Sequence, residues 1–417
     1  MIGLLNQPWS DEFFKRWLEI IFSKISDLAS IEHCEIMEAS TNARRRRCSS
    51  PSPTRDYDDA PELAASPSKA TPLCDREAIR QRRRDLDKWK ELEIWAKCLH
   101  CLLEPCESFE QIKNEVDATF FDKIALLLSH KDRYVRESAF QIVGDLLKGN
   151  KHSEIIGKLV PILTVGLSDN WSHVRMAACV ATREFFLGDN QDVSNHFPSM
   201  LPPLCLNRYH LAEGVRNYSQ ETWKLVTKGE GKQLVEKHLP EVVSYYVQQC
   251  DAKNHAIREA ALLCIAELAI KMEHSLVSLH VSDLLDAVVP CYEDDSWPVR
   301  DGACQASAKF LSNFPEESRE KADPIVDLMA KNLCDSIPGV RAGAASALTM
   351  IATTYKGDVL KRIVENILFP YLEIAMTQPD EANRFADPET IIVRTNTEQT
   401  GKYLPLRFIF RKKRYFR

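Results

Sequence analysis

Glycine is scarce in this chain, with 14 residues in 417, about half the usual share of ~7%. All-β folds need glycine at their many turns, so this shortage argues against them. No apolar run approaches the ~20 residues that span a bilayer, and no secretory leader opens the chain. The 13 cysteines are an odd number without the spacing of a secreted disulfide framework. We therefore expect a soluble, intracellular protein with reduced thiols.

Catalytic motifs are missing as well. No G-x-G-x-x-G occurs, and the eleven histidines are scattered without a Ser or Cys nucleophile arranged beside them. Cys98, Cys101 and Cys106 with His100 form a compact metal-like cluster, but zinc sites need a second ligand pair and none follows. We interpret Cys98 and Cys101 as part of the buried face of a helix. The sequence predicts no enzyme, no cofactor and no metal.

Charge is unevenly distributed along the chain. Residues 91–390 carry 30 basic and 44 acidic side chains, a net charge of −14, whereas residues 391–417 carry a net charge of +7. An acidic body repels phosphate backbones and favours basic protein segments. We therefore expect the main domain to bind no nucleic acid, and we expect its partners to be proteins with basic segments.

A repeat of about 41 residues runs through the middle of the chain. A branched apolar residue followed by arginine recurs at intervals of 39, 41, 42, 42 and 41 residues, with a small residue four positions later and a large apolar one eleven positions later. Offsets of 0, 4 and 11 lie on one face of an α-helix. The six arginines are Arg136, Arg175, Arg216, Arg258, Arg300 and Arg341.

Another apolar helical segment precedes each of these helices, and a short polar turn separates the two. The turns carry Asp132, Asp169, Asp251, Asp295 and Asp335, which we expect to cap the second helix by accepting backbone N–H bonds. Two helices per unit with this turn and this Val-Arg pair resemble HEAT repeats. The resemblance covers residues 117 to about 376 and implies an all-α, right-handed α-solenoid of about six repeats.

The flanking segments complete the predicted organisation. Residues 10–28 place an apolar stripe on one helix face, and residues 76–116 are spaced to bury one face and to cap the first repeat. The tail breaks the repeat, as a shortened product of a longer repeat protein would. The predicted segments are an amphipathic N-terminal helix (1–38), a disordered Ser/Pro/Arg-rich linker (39–76), a helical cap (77–116), the HEAT array (117–376) and an irregular basic tail (377–417).

Three sets of residues are candidates for function. The repeat arginines are expected to form a ladder with acidic residues of neighbouring units. The turns that carry Trp171 and Trp297 are candidate protein-binding sites, because exposed tryptophan is enriched where partners dock. Their acidic and polar neighbours, which could steer a basic segment, are Asp169, Asn170, Asp294 and Asp295. A possible nuclear-import signal lies in the linker at Arg44, Arg45, Arg46 and Arg47.

The function that these features favour is a non-catalytic scaffold or adaptor that binds proteins through its turns and concave face. The D-x-x-W-x-V-R turn resembles those in the scaffold subunit of heterotrimeric protein phosphatase. Importin-beta-type carriers, which are also acidic HEAT solenoids, remain the first alternative, and microtubule-binding TOG arrays remain the second. We expect a cytoplasmic location, with the nucleus as a second one if the arginine run is an import signal. The sequence does not indicate an oligomeric state.

Overall fold

The computed structural model describes residues 15–28, 88–106, 118–148, 153–188, 193–355 and 357–371. Throughout these ranges the ordered elements are helices, and no β-strand is present. The chain divides into two compact units, Met1–Asn190 and Gln191–Arg417. The arginine run 44–47, the predicted linker and the predicted basic tail lie outside the described residues.

The described part of the first unit contains six helices, of which the last four form two successive helix pairs. Its helices are α1 (residues 15–28), α2 (Lys88–Leu103), α3 (Ala118–Leu128), α4 (Arg133–Leu147), α5 (Ser153–Leu167) and α6 (Ser172–Leu187). The second helices α2, α4 and α6 pack along one another in order, and α3 and α5 pack on α4 and α6. This is the two-helix repeat that the sequence predicts.

The second unit continues the pattern with additional short helices. Its elements are α7 (Val193–Asn207), α8 (Glu213–Thr227), α9 (Gly231–Lys237), α10 (Leu239–Gln249), α11 (His255–Lys271), α12 (His274–Val277), a 3-10 turn (Ser278–His280), α13 (Val281–Val288), a second 3-10 turn (Val289–Glu293), α14 (Trp297–Asn313), α15 (Arg319–Asn332), α16 (Pro338–Thr354), α17 (Asp358–Arg362) and a π-helical turn (Ile363–Leu368). The second helices α11, α14 and α16 pack along one another, and α10, α13 and α15 lie against them. Within the described residues the fold is all-α and built from stacked two-helix repeats, as the resemblance to HEAT repeats implies.

The three offsets that define the repeat are core positions. In the fifth repeat Val299, Ala303 and Phe310 are fully buried, and the corresponding residues of the first, second, fourth and sixth repeats are buried as well. The small residue at the middle position allows two helices to approach closely, and the large residue fills the space beyond it. These buried triplets give each repeat its share of a continuous apolar core.

The third repeat departs from this regularity. Its second helix, α8, packs on α7 and α9 rather than on α11, and its large apolar residue, Val226, is only half-buried. The additional helix α9 lies in sequence between α8 and α10, and the short α12 and its 3-10 turn lie at the corresponding place between α11 and α13. Stacking of second helices is therefore interrupted within the second unit, between α8 and α11.

The helices at the N-terminal end resemble a further repeat. Helix α1 buries Leu18, Ile21 and Ile25, and its Phe22 ring packs edge-on against Phe120 of α3 at a centroid distance of 4.7 Å. Helix α2 packs along α4 just as α4 packs along α6. It buries residues at the same three offsets, which are Leu92, Ala96 and Leu103. Residues 15–28 and α2 thus occupy the places of a first and a second helix.

A buried carboxylate joins α2 to α4. Asp145 accepts a hydrogen bond from Lys148 Nζ at 2.9 Å and lies 2.6 Å from Nδ1 of His100. Lys148 Nζ also donates to the carbonyl of Glu104 at 3.2 Å. The hydrogen bond to Asp145 raises the pKa of His100, although burial opposes this shift. The imidazole of His100, whose protonated form Asp145 favours, is therefore part of the contact between these two helices.

This contact predicts a pH dependence of stability. Because the pKa of His100 is higher in the folded than in the unfolded chain, its contribution is complete below the unfolded value of about 6.5 and is lost as the pH rises through the folded value. We expect the wild-type unfolding free energy to fall by about 1 kcal/mol across that window relative to His100→Gln. Urea unfolding of both proteins between pH 6 and pH 8 measures this difference, and parallel pH profiles would contradict it.

Candidate protein-binding surface

Each repeat arginine closes its own turn. In all six repeats the guanidinium donates to the carbonyl oxygen six residues earlier, at distances between 2.6 and 3.2 Å. The acceptors are the carbonyls of His130, Asp169, His210, Ala252, Asp294 and Asp335. These bonds cross-link the end of each turn to the start of the second helix, so the turn surface has a fixed backbone.

Three of these arginines also reach the next repeat. Nε and Nη2 of Arg300 donate to the two carboxylate oxygens of Asp335 at 2.6 and 3.0 Å. Arg136 with Asp169 and Arg258 with Asp294 form the same two-bond contact. Parallel N–H···O bonds of this kind fix geometry as well as charge. They hold the first to the second, the fourth to the fifth and the fifth to the sixth repeat.

The third and fourth turns have no carboxylate at the position where Asp169, Asp294 and Asp335 accept two bonds from the arginine of the preceding repeat. The residue six positions before the arginine is His210 in the third repeat and Ala252 in the fourth. Arg216 accordingly donates only to the carbonyls of His210 and Leu211 among the described residues. The arginine–carboxylate contacts between successive repeats are therefore interrupted at α8. This is also the helix that does not pack on α11.

The structure corrects the predicted capping residues in two turns. Asp294, and not Asp295, accepts the backbone N–H of Ser296 at 2.8 Å, and Asn254, and not Asp251, caps α11. Burial works to raise the pKa of Asp294, but the bonds from Arg258 and from Ser296 N–H outweigh it and hold the pKa below its usual value. The carboxylate of Asp294 is thus occupied by hydrogen bonds within the protein, whereas Asp295 is exposed.

The two candidate tryptophans are both half exposed but differ in their surroundings. Trp171 is 49% and Trp297 48% exposed. The guanidinium of Arg133 lies 4.1 Å from the ring centroid of Trp171 and also over Tyr134 at 4.8 Å. Tyr134 in turn stacks on Trp89 at 5.7 Å. Trp171 therefore ends a row of stacked side chains that joins α2, α4 and α6, and this row is not evident from the sequence.

Trp297 lies instead on a glycine. It is the first residue of α14, and a Cβ atom at Gly339 of α16 would stand 3.6 Å from its indole. One turn further along α14, Asp301 lies so close to Gly343 of α16 that a Cβ there would collide with its carboxylate. The two glycines, also one turn apart, thus form a shallow bed on α16 for the side chains of α14.

The cysteine cluster is arranged differently from our interpretation. Cys98 and Cys101 are exposed on α2, and not buried as predicted, while Leu99 and Leu102 form the buried face. Burial raises the pKa of the Cys98 thiol. Within the described ranges, no three His, Cys, Asp or Glu side chains are placed to share a metal ion. Among the helices described, none has the length and apolar character needed to cross a membrane.

Comparison with known proteins gives weak structural similarity. No protein-family model matches the chain, and no curated protein matches it. A designed armadillo repeat protein is 19% identical with a TM-score of 0.31, covering 53% of this chain and 94% of its own. A designed armadillo repeat protein in complex with the peptide (KR)4 is 17% identical with a TM-score of 0.31, covering 63% and 94%. Importin beta is 14% identical with a TM-score of 0.30, covering 64% and 39%.

Proposed function

We propose that this chain is a non-catalytic repeat scaffold that docks other proteins on the turn surface of its second unit, the turns that precede α11, α14 and α16. The observation that carries the proposal is Trp297. Its indole is half exposed, fixed on Gly339 and surrounded by acidic residues of which Asp295 is exposed. A large rigid side chain with one open face is the typical anchor of a protein interface.

The rigidity of the backbone supports this proposal. Arg258 and Arg300 fix the turns on either side of Trp297 through the carboxylates of Asp294 and Asp335. A side chain held by such contacts loses little conformational freedom on binding, so more of its contact energy appears as affinity. The turn with Trp171 is a second candidate contact, in which one face of the indole already faces Arg133.

Charge supports a basic partner. The net charge of −14 over residues 91–390 and the exposed Asp295 and Glu293 beside Trp297 provide a negative potential at the turn surface. Such exposed charges steer association more than they add affinity. We therefore assign anchoring to the indole and steering to the exposed carboxylates.

Trp297→Ala should weaken partner binding by about 2 kcal/mol or more, because it removes the anchor. Partners are first identified by affinity purification of the full chain with mass spectrometry, and a purified partner is then titrated by calorimetry. The matched control is Leu279→Ala, which removes a side chain that is 79% exposed and lies outside the turn surface. The control should leave both affinity and melting unchanged.

Loss of stability without loss of affinity would show that the binding surface does not include Trp297. If Trp297→Ala lowers the melting temperature and leaves the affinity per folded molecule intact, the indole serves packing only. The exposed faces of the second helices would then be the next candidate. Added salt should lower mainly the association rate, because the steering charges are solvent-exposed.

A further inference from the structure

We infer that Trp297, Asp301 and Glu259 form a subsite for one arginine side chain of a partner protein. The inference rests on the proposed function, because it specifies the chemistry that the turn surface of the second unit recognises. The guanidinium would stack on the open face of the Trp297 indole and donate to the two carboxylates.

The three side chains occupy neighbouring places on two packed helices. Trp297 and Asp301 are one turn apart on α14 and therefore project from one face. Glu259 stands two residues after the branched residue of α11, as Asp301 does on α14. No other two neighbouring second helices both have a carboxylate at this place. The residues of the other second helices at this place are Ile94, Glu137, Met176, Asn217 and Ala342.

Among the described residues, no lysine or arginine pairs with either carboxylate. Oε2 of Glu259 is buried and has no hydrogen-bond partner. Asp301 accepts a hydrogen bond from the neutral amide of Gln305 at 2.6 Å. Burial raises the pKa of both acids, and the charge of Asp301 raises that of Glu259 further, while nearby His255 opposes it. A cation placed between them would relieve both the burial and the repulsion.

The second unit contains a complete example of this combination. The guanidinium of Arg208 lies 4.5 Å from the ring centroid of Trp223 and donates to Glu267 at 2.9 Å. In the first unit, Arg133 similarly covers Trp171. Among the described residues no cation lies over Trp297. The indole and the acids are thus present at Trp297, and the arginine has to come from outside.

Arginine fits this subsite better than lysine. The planar guanidinium can stack on an aromatic face and donate in its own plane at the same time, whereas an ammonium group is a strongly hydrated point charge. The shallow bed formed by Gly339 and Gly343 leaves room beside the indole, since neither residue has a side chain. The expected ligand is therefore an arginine within an extended basic segment of another protein.

The test uses two fluorescein-labelled peptides of equal charge, tetra-arginine and tetra-lysine, and the full chain. Fluorescence anisotropy at moderate salt should show tighter binding of tetra-arginine, by about threefold or more. Trp297→Ala and Asp301→Asn should each weaken tetra-arginine binding about tenfold and abolish the preference over tetra-lysine. Leu279→Ala, at an exposed position outside the turn surface, is the matched control and should retain both the affinity and the preference.

Several outcomes would overturn the inference. If the two peptides bind equally well, or if Trp297→Ala has no effect, the peptides bind through general electrostatic attraction and not at this subsite. Tighter peptide binding after replacement of Arg44 to Arg47 by alanine would show that the chain's own arginine run fills the subsite. If a purified partner still depends on Trp297 while tetra-arginine does not, the arginine assignment fails and the docking surface stands. If the peptide depends on Trp297 and the partner does not, the proposed function fails.

Discussion

Replacing Phe310 with alanine should lower the free energy of unfolding of the second unit by about 3–5 kcal/mol. Phe310 is the fully buried large residue of the fifth repeat, and its ring stacks on Phe314 at a centroid distance of 5.5 Å. Alanine removes this apolar surface and leaves a cavity that the rigid helices α11 and α16 on either side of α14 can fill only in part. Urea unfolding with hydrogen exchange measures both the size and the location of the loss.

The location of the lost hydrogen-exchange protection distinguishes a repeat protein from a globular protein with a single core. Because each repeat contacts only its neighbours, the loss of protection should concentrate in α11, α14 and α16. Leu279→Ala, at an exposed position, is the control and should cost less than about 0.5 kcal/mol. A loss of protection spread evenly over the described helices would contradict the nearest-neighbour arrangement.

Arg300→Ala should cost about 2–3 kcal/mol, the second-largest effect that we expect. The substitution removes two bonds to Asp335 and two to the carbonyls of Asp294 and Asp295. The side chains of Arg300 and Asp335 are only 15% and 7% exposed, so the carboxylate would be left largely buried without its counter-ion. Chemical denaturation of the variant and of the wild-type protein measures the cost.

The third repeat provides the matched control for Arg300. Arg216 makes the same carbonyl bonds within its own turn but no carboxylate contact with the next turn. Arg216→Ala should therefore cost only about 1 kcal/mol, and the excess in Arg300→Ala should reappear as coupling in an Arg300/Asp335 double-mutant cycle. Equal costs at the two positions would show that the contact between repeats contributes nothing.

The repeat fold was predictable because its signal is carried by buried residues. Val299, Ala303 and Phe310 and their counterparts are core positions in the structure, and burial restricts residue type strongly. The helix α2 was not recognised as part of the pattern because Glu93 stands where the repeats have arginine, although Leu92, Ala96 and Leu103 keep the offsets. The arginine is the conspicuous part of the repeat in the sequence, so a helix that keeps only the buried face is hard to recognise from the sequence alone.

The candidate surface was predictable only in part. Tryptophan within a polar turn is visible in the sequence, so Trp171 and Trp297 could be selected. Their different surroundings could not be predicted from the sequence. Arg133 and Gly339 come from neighbouring repeats, and their contacts with the two indoles depend on how the helices pack. The accepting residue of each turn could have been found by counting six positions back from the arginine. That count gives Asp294 rather than Asp295, and His210 in the irregular third repeat.

The measurement that tests the docking surface most directly is hydrogen exchange of the full chain with and without a purified partner. Our account predicts new protection at the turn surface of the second unit, in the first turns of α11, α14 and α16 around Trp297. The first helices α10, α13 and α15 should exchange at unchanged rates. Protection confined to α10, α13 and α15, with the turns unchanged, would contradict the account.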